Sequence, residues 1–185
     1  MASRRNRTGD KVEGARASGA GDSVSGSGKS RVMKAALNIL ASRSCSEGQL
    51  RDRLSAKGWA EAGLVEDCIK KLKELGYVND DLFADGYASY RVKSRPIGRA
   101  RLARELAFKK VSKKAIDGAL DRVFGEVGEE TLIDRAIARR LRTHGRPADR
   151  AAAKRMFDHL TRLGFEYDLI LKKLSGLKGK TTNDE

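Results

Sequence analysis

Rings, thiols and imidazoles are scarce in this chain, and each scarcity closes off a class of function. His144 and His159 are the only histidines in 185 residues. With no HExxH motif or other partner spacing, they are read as surface or helix-end residues. The two cysteines, Cys45 and Cys68, stand apart without a CxxC pair, and Cys68 falls on an apolar stripe that suits a buried thiol. A reducing compartment, the cytoplasm, is the expected location. No serine or cysteine has the context of a nucleophile, and the acidic residues are scattered as caps and helix-face partners. An enzyme is therefore not expected: no catalytic residue can be named, and neither a cofactor nor a metal is called for. No apolar run approaches the roughly 20 residues of a membrane span, and the N-terminus lacks the apolar stretch of a secretory signal. Acidic charge is also in deficit, with 25 Asp and Glu against 39 Lys and Arg, a net charge of +14 and a pI near 10. Such a surplus favours a polyanionic partner: nucleic acid, an acidic protein surface or an anionic membrane.

The first 30 residues hold six glycines, six serines and no aromatic residue, and read as a disordered tail. A transit peptide is the lesser alternative, opposed by Asp10, Glu13 and Asp22. Within the tail, "SVSGSGKS" imitates the end of a phosphate-binding loop. That motif needs a glycine where Ser23 stands and an apolar strand before it, and neither is present.

From Arg31 onward apolar residues recur at helical spacing. Met33, Ala36, Leu37, Leu40 and Ala41 form one face, and Leu64, Val65, Cys68, Ile69, Leu72 and Leu75 another. Ile116, Ala119, Leu120 and Val123, then Ile133, Ala136, Ile137 and Leu141, then Met156, Leu160 and Leu163 continue the pattern. No segment alternates long enough to be a strand, so the fold is expected to be all-α.

Three turns share one shape: "LSAKGW" from Leu54, "LAFKKV" from Leu106 and "LTRLGF" from Leu160, starting 52 and 54 residues apart. Each follows a large apolar residue four positions earlier, and each leads into one more amphipathic helix. The period predicts three tandem three-helix units, helix-turn-helix-like and elongated in arrangement, over 31–78, 79–125 and 126–177, with a flexible tail at 178–185. Ser46 with Gln49 forms a capping box, Ser112 is placed to cap, and Pro147 suits a first helical position.

Charge is uneven over this frame. Residues 31–90 carry nine basic and nine acidic residues. Between Arg91 and Lys114 there are ten basic residues and one acid, Glu105; between Arg135 and Arg155 there are eight and one, Asp149. An isolated run of this kind is usually a solvated helix face. Two runs in consecutive units predict a continuous basic binding face, with Arg91, Arg95, Arg99, Arg101, Arg104 and Lys109 from the first and Arg139, Arg142, Arg146, Arg150 and Lys154 from the second.

The stretch "KELGYVNDDLFADGYASYR", Lys73 to Arg91, concentrates aromatic rings in a chain with few. Gly76 suits the left-handed residue that closes a helix, and Asn79 or Asp80 can cap the next. Phe83 and Tyr87 lie one turn apart on one side, suited to pack against Tyr77 and the preceding helix. Asp80 and Asp81 fall where carboxylates favour a helix N-terminus. The cluster is read chiefly as a joint between units.

This region, continued through "VKSRPIGRARLARELAFKKVS" to Ser112, resembles the signature of the RecX family of bacterial recombinase regulators. Gly76, Tyr77, Asp80, Asp81, Phe83, Ala84, Tyr87 and Arg91 match the family pattern, as do Gly98, Leu102, Leu106 and Lys109 after it and Leu163-Gly164-Phe165 in the final turn. The likeness runs from Ala36 to Leu174. It departs at Lys110-Val111, where Gly-Ile is common, and in the long glycine-rich N-terminal tail.

The resemblance implies a modulator of RecA, the ATP-dependent recombinase that forms filaments on single-stranded DNA. It would bind in the filament groove or cap a growing end, inhibit ATP hydrolysis and strand exchange, and so act in DNA repair, homologous recombination and the SOS response. The implied partners are the RecA filament and single-stranded DNA, with non-specific duplex binding also open, and no membrane; the protein is expected to act as a monomer. The alternative is a helix-turn-helix-type DNA-binding protein. Against it, Lys70, Lys71 and Lys73 mingle with Glu66, Asp67 and Glu74 on the first unit's third helix, and no Asn/Gln/Arg cluster for base readout stands out.

Overall fold

The computed structural model describes residues 20–178, and among these all regular structure is helical. In chain order the helices are α1 (Ala20–Ser42), α2 (Glu47–Ser55), α3 (Ala62–Glu74), α4 (Asp80–Ser94), α5 (Arg99–Phe108), α6 (Lys113–Val127), α7 (Glu129–His144), α8 (Arg150–Arg162) and α9 (Tyr167–Lys178). They pack as tandem triplets, α1–α3, α4–α6 and α7–α9, each third helix lying against the first two of its own unit.

Three boundaries differ from the sequence reading. Helix α6 continues to Val127, past the boundary placed at 125, and α9 takes in Lys178, read as the first residue of the C-terminal tail. Residues 20–30, read as tail, belong to α1; the rest of that tail and residues 179–185 lie outside the described residues. Extending an already packed helix costs little per residue. The chain also passes α3 closely here, where a Cβ on Gly28 would lie 3.0 Å from Leu64 Cδ1. Glycine and serine content alone does not disclose that neighbour. The α1 stripe is turned as well: Val32 and Ala36 are buried, whereas Leu37 is exposed.

Side chains close the helix starts. Ser46 Oγ accepts the Gln49 N–H at 3.1 Å, Asn79 Oδ1 accepts the Leu82 N–H at 3.0 Å, and Ser112 Oγ accepts the Ala115 N–H at 3.4 Å. The start of α8 belongs to Asp149, which accepts the Ala152 N–H at 2.6 Å, and Pro147 lies in the loop before it.

Three helices end alike. After α3, α5 and α8 the amide of Tyr77, Val111 or Phe165 donates back to the carbonyl of Leu72, Leu106 or Leu160 at 2.9, 3.3 and 3.3 Å. The residue before each takes a left-handed conformation: Gly76 (φ 75), Lys110 (φ 59) and Gly164 (φ 86). The turn after α2 closes instead through Lys57 N–H to Leu54 C=O and Ala60 N–H to Lys57 C=O.

Among the described residues the buried apolar side chains form two cores. Val32, Leu50, Leu54, Val65, Ile69 and Leu72 belong to the first unit alone. A single larger cluster runs from Ala84 through Ile97, Leu102, Phe124 and Ile133 to Ile170, joining the second and third units.

The joints between units repeat one construction. The N-terminus of α5 abuts the C-terminal turn of α8, where Gly98 N–H donates to Leu163 C=O at 2.8 Å and Ala100 N–H to Gly164 C=O at 3.2 Å. Donors left unpaired at one helix start are thus met by carbonyls left unpaired at another helix end. The approach demands glycine, since a Cβ on Gly98 would fall 2.3 Å from the Gly164 backbone. One unit earlier, the N-terminus of α2 abuts the turn after α5: Ser46 Oγ donates to Lys109 C=O, and a Cβ on Gly48 would fall 2.5 Å from Lys110 Cβ. In both joints the first residue of the following unit adds a carboxylate. Asp80 accepts the Glu47 N–H at 2.8 Å and the Ser112 N–H at 3.1 Å, and Glu129 accepts the Arg99 N–H at 3.0 Å.

Candidate polyanion-binding face

Not every cation in the two basic runs is available. Arg91 donates Nε and Nη2 to Glu105 at 2.7 and 2.9 Å, with only 18% of its side chain exposed. Tyr87 Oη adds a hydrogen bond to Glu105 at 3.0 Å, and Arg101 Nε another at 3.2 Å. Together these partners, Arg91 foremost, hold the Glu105 carboxyl down at about 2, against the opposing effect of its burial. Lys109 stands 4.7 Å over the Tyr87 ring. The Arg91 end of the first run therefore locks α4 to α5 and is structural. Arg99 is paired with Asp121, and Lys154 lies 3.9 Å from Asp158.

The signature cluster also sorts differently from its sequence reading. Phe83 and Tyr87 stack at 6.4 Å between centroids, but they pack against the core shared by the second and third units. Tyr77 is 61% exposed and takes no part. Ala84 is buried, Gly76 closes α3, and Asp81 is exposed at the start of α4. The contact with the preceding unit passes through Asp80, whose carboxylate spans the starts of α2 and α6. Alternating helix faces put the rings inward and leave the short acid at the joint.

Arg95, Arg104, Arg139, Arg142, Arg146 and Arg150 have no carboxylate within 4.0 Å among the described residues. The fold gathers most of these into adjoining hollows. Arg101, Arg104, Lys109 and Arg162 surround one hollow, with Tyr87, Phe108 and the already paired Glu105 in its wall. Arg101 Nη1 donates to the Arg162 carbonyl at 3.3 Å, so the turn after α8 carries Arg162 onto the second unit's basic helix. Phe108 projects beside it with 89% of its surface exposed. Arg95, Arg139, Arg140, Thr143 and His159 line a second hollow between α7, α8 and the α4–α5 loop. From Arg140 the surface continues to His144, Arg146 and Arg155. Arg146 and Arg150 border a further groove with Leu174 and Leu177 at the start of α8. Neither hollow along the α7–α8 seam has a carboxylate in its lining.

Four members of this face escape the sequence reading. Arg162 lies outside both basic runs and arrives through the Gly98–Gly164 contact. Arg140 sits inside a run, but periodicity does not rank it above its neighbours. Phe108 has the spacing of no apolar stripe, and that misfit is its only sequence signal. His159 is half-buried, and burial followed by the charges of Arg140, Arg162 and His144 holds its imidazole below the ordinary value.

Comparison with known proteins bears on the family and the fold. Residues 79–120 match the family model described as RecX, second three-helix domain. The regulatory protein RecX of Treponema pallidum (strain Nichols) is 37% identical over 124 residues, 66% of this chain and 75% of that protein. That of Halorhodospira halophila is 32% identical over 149 residues, covering 80% and 89%. The crystal structure of RecX from Lactobacillus salivarius superposes with a TM-score of 0.72 at 19% identity, over 83% of this chain and 98% of that one, a likeness of fold.

Proposed function

Because the chain belongs to the RecX family of regulatory proteins, we propose that it modulates the RecA recombinase by binding the recombinase filament on single-stranded DNA, and that it lowers ATP hydrolysis and strand exchange. The observation that carries this reading is the basic face crossing the joint between the second and third units, where Arg101, Arg104 and Arg162 meet beside the exposed ring of Phe108. Arg104 and Arg162, which have no carboxylate within 4.0 Å among the described residues, supply the sequence-independent attraction to phosphates or to an acidic protein surface. A free aromatic ring among them suits stacking on an unpaired base, which a duplex does not offer.

Such a protein needs no chemistry of its own. Occupying the groove blocks access to the filament interior, and occupying an end stops monomer addition. In a helix-turn-helix reading α3 is the recognition helix of the first unit. Two of its three lysines are instead spent on acids: Lys71 pairs with Glu74 at 3.2 Å and Lys73 with Glu47 at 2.7 Å.

The test is titration of the protein into recombinase filaments on circular single-stranded DNA, following ATP hydrolysis and DNA occupancy together. Hydrolysis is expected to fall progressively after addition. Loss of hydrolysis with filaments intact identifies groove blocking, and loss of both identifies end capping. No effect at equimolar protein in low salt, with the cognate recombinase, overturns the reading.

A further inference from the structure

Both histidines of the chain lie on the arginine seam between α7 and α8, and only one of them is half-buried. His159 shares a cleft of about 260 Å3 with Arg95, Arg139, Arg140 and Thr143, contributed by three separate elements. From α7 it is faced by Arg139, Arg140 and Thr143, with His144 at the helix end; from the α4–α5 loop by Arg95; on its own helix Arg162 lies one turn on. Asp158, its sequence neighbour, is turned to Lys154. Three guanidinium groups converge here with no counter-charge in the lining, an arrangement that repels itself when empty and is relieved by a bound anion.

We propose that this cleft is a phosphodiester pocket: one backbone phosphate of a nucleic acid is held by Arg95, Arg139 and Arg140, and His159 takes up a proton as the phosphate enters. The inference rests on the polyanion-binding reading of this face and adds its ligand group and its pH dependence. Without an anion in the cleft, burial and the neighbouring cations disfavour the protonated form of His159. A phosphate monoanion cancels part of that cationic field and offers an acceptor oxygen, so the imidazolium becomes the favoured form. Binding and protonation are then linked, and affinity rises as pH falls through the histidine range. An acceptor-only side chain from a protein partner would occupy the same arginines without needing an unpaired nucleic-acid strand, and the test separates the two.

The experiment measures binding of a fluorescein-labelled 30-residue oligo-dT by anisotropy from pH 8 to pH 5.5, at several salt concentrations, for the wild type, His159→Gln, His144→Gln, Arg139→Ala and Arg104→Ala. Wild-type affinity is expected to rise about tenfold on acidification, the equivalent of one proton over about one pH unit of linkage. His159→Gln abolishes most of that rise and His144→Gln does not. Arg139→Ala weakens binding at every pH and lowers the salt slope by about 1. Circular dichroism of each variant guards against misfolding. If His159→Gln keeps the wild-type pH profile, or Arg139→Ala binds as wild type while Arg104→Ala is weakened, the pocket assignment is wrong and the wider face stands. If the wild type inhibits the recombinase without binding the oligonucleotide, the cleft holds a protein group and the proposal is overturned. Failure of both binding and inhibition removes the functional reading itself.

Discussion

Lys110 holds φ 59 in a turn where the other two helix ends of this form carry glycine. A Cβ in that conformation costs about 1–2 kcal/mol. Its ammonium pairs with Asp52, but both side chains are more than half exposed and the pair returns little. Lys110→Gly is therefore expected to stabilise the protein by roughly 1 kcal/mol, read as a higher urea midpoint with unchanged slope. Glu105 presents the opposite situation. Its carboxyl is depressed from 4.5 to about 2 in the folded protein. The stability it lends is complete above the unfolded value near 4.5 and is lost as pH falls towards 2. Glu105→Gln is expected to cost roughly 2 kcal/mol at neutral pH. It should also flatten the dependence of stability on pH between those values, and an unchanged acid limb in urea titrations would refute the assignment.

At the scale of helices, both joints bring backbone groups of distant segments together, and the first joint has no apolar core in common across it, which decides what the sequence discloses. Spacing of Leu50, Leu54, Leu102, Leu106 and Leu160 predicts helices because a buried stripe must recur with the helical period. Ser46, Asn79 and Ser112 mark helix starts because an unpaired amide needs an oxygen nearby. Asp80 is legible as a helix-start residue, yet its partners, Glu47 and Ser112, lie 33 and 32 residues away and no local rule names them. The same holds for Arg162, which joins the basic face only because Gly98 and Gly164 let two backbones touch. Asp80→Ala removes acceptors from two helix starts at once and is expected to cost roughly 2 kcal/mol. Gly98→Ala would drive a methyl group into the Gly164 carbonyl, and separation of the two units should cost roughly 3 kcal/mol in thermal or urea unfolding. A Gly98→Ala protein as stable as the wild type would mean that the joint opens freely.

Across the whole molecule, two cores under three units predict unequal cooperativity. Residues 84–170 share one apolar cluster, whereas Val32 to Val78 form their own and meet the second unit chiefly through polar and backbone contacts. Native-state hydrogen exchange is expected to show α1–α3 opening as a separate unit, with lower free energy than α4–α9. A single protection level through all nine helices of the described residues would contradict this. The exposed face carries a complementary expectation: Phe108→Ala should leave the melting temperature unchanged, since the ring is 89% exposed. The same change should weaken single-strand binding by roughly 1–3 kcal/mol if the ring stacks on a base.

The end-on contacts of the middle helices give the molecule a direction. The start of α2 meets the end of α5, and the start of α5 meets the end of α8, so the peptide dipoles of all three add with one sign along the series. One terminus of that series is the end of α2, with Trp59 in the turn that follows; the other is the start of α8 beside Arg146 and Arg150. Single-stranded nucleic acid and the filament built on it are also vectorial, running from 5′ to 3′. An arrow laid along another arrow has two non-equivalent registries, parallel and antiparallel, which set different protein groups against the asymmetric sugar–phosphate geometry and so differ in free energy. A donor dye at Lys57 and an acceptor on either end of a bound oligonucleotide should accordingly report a single orientation, not an equal mixture of two.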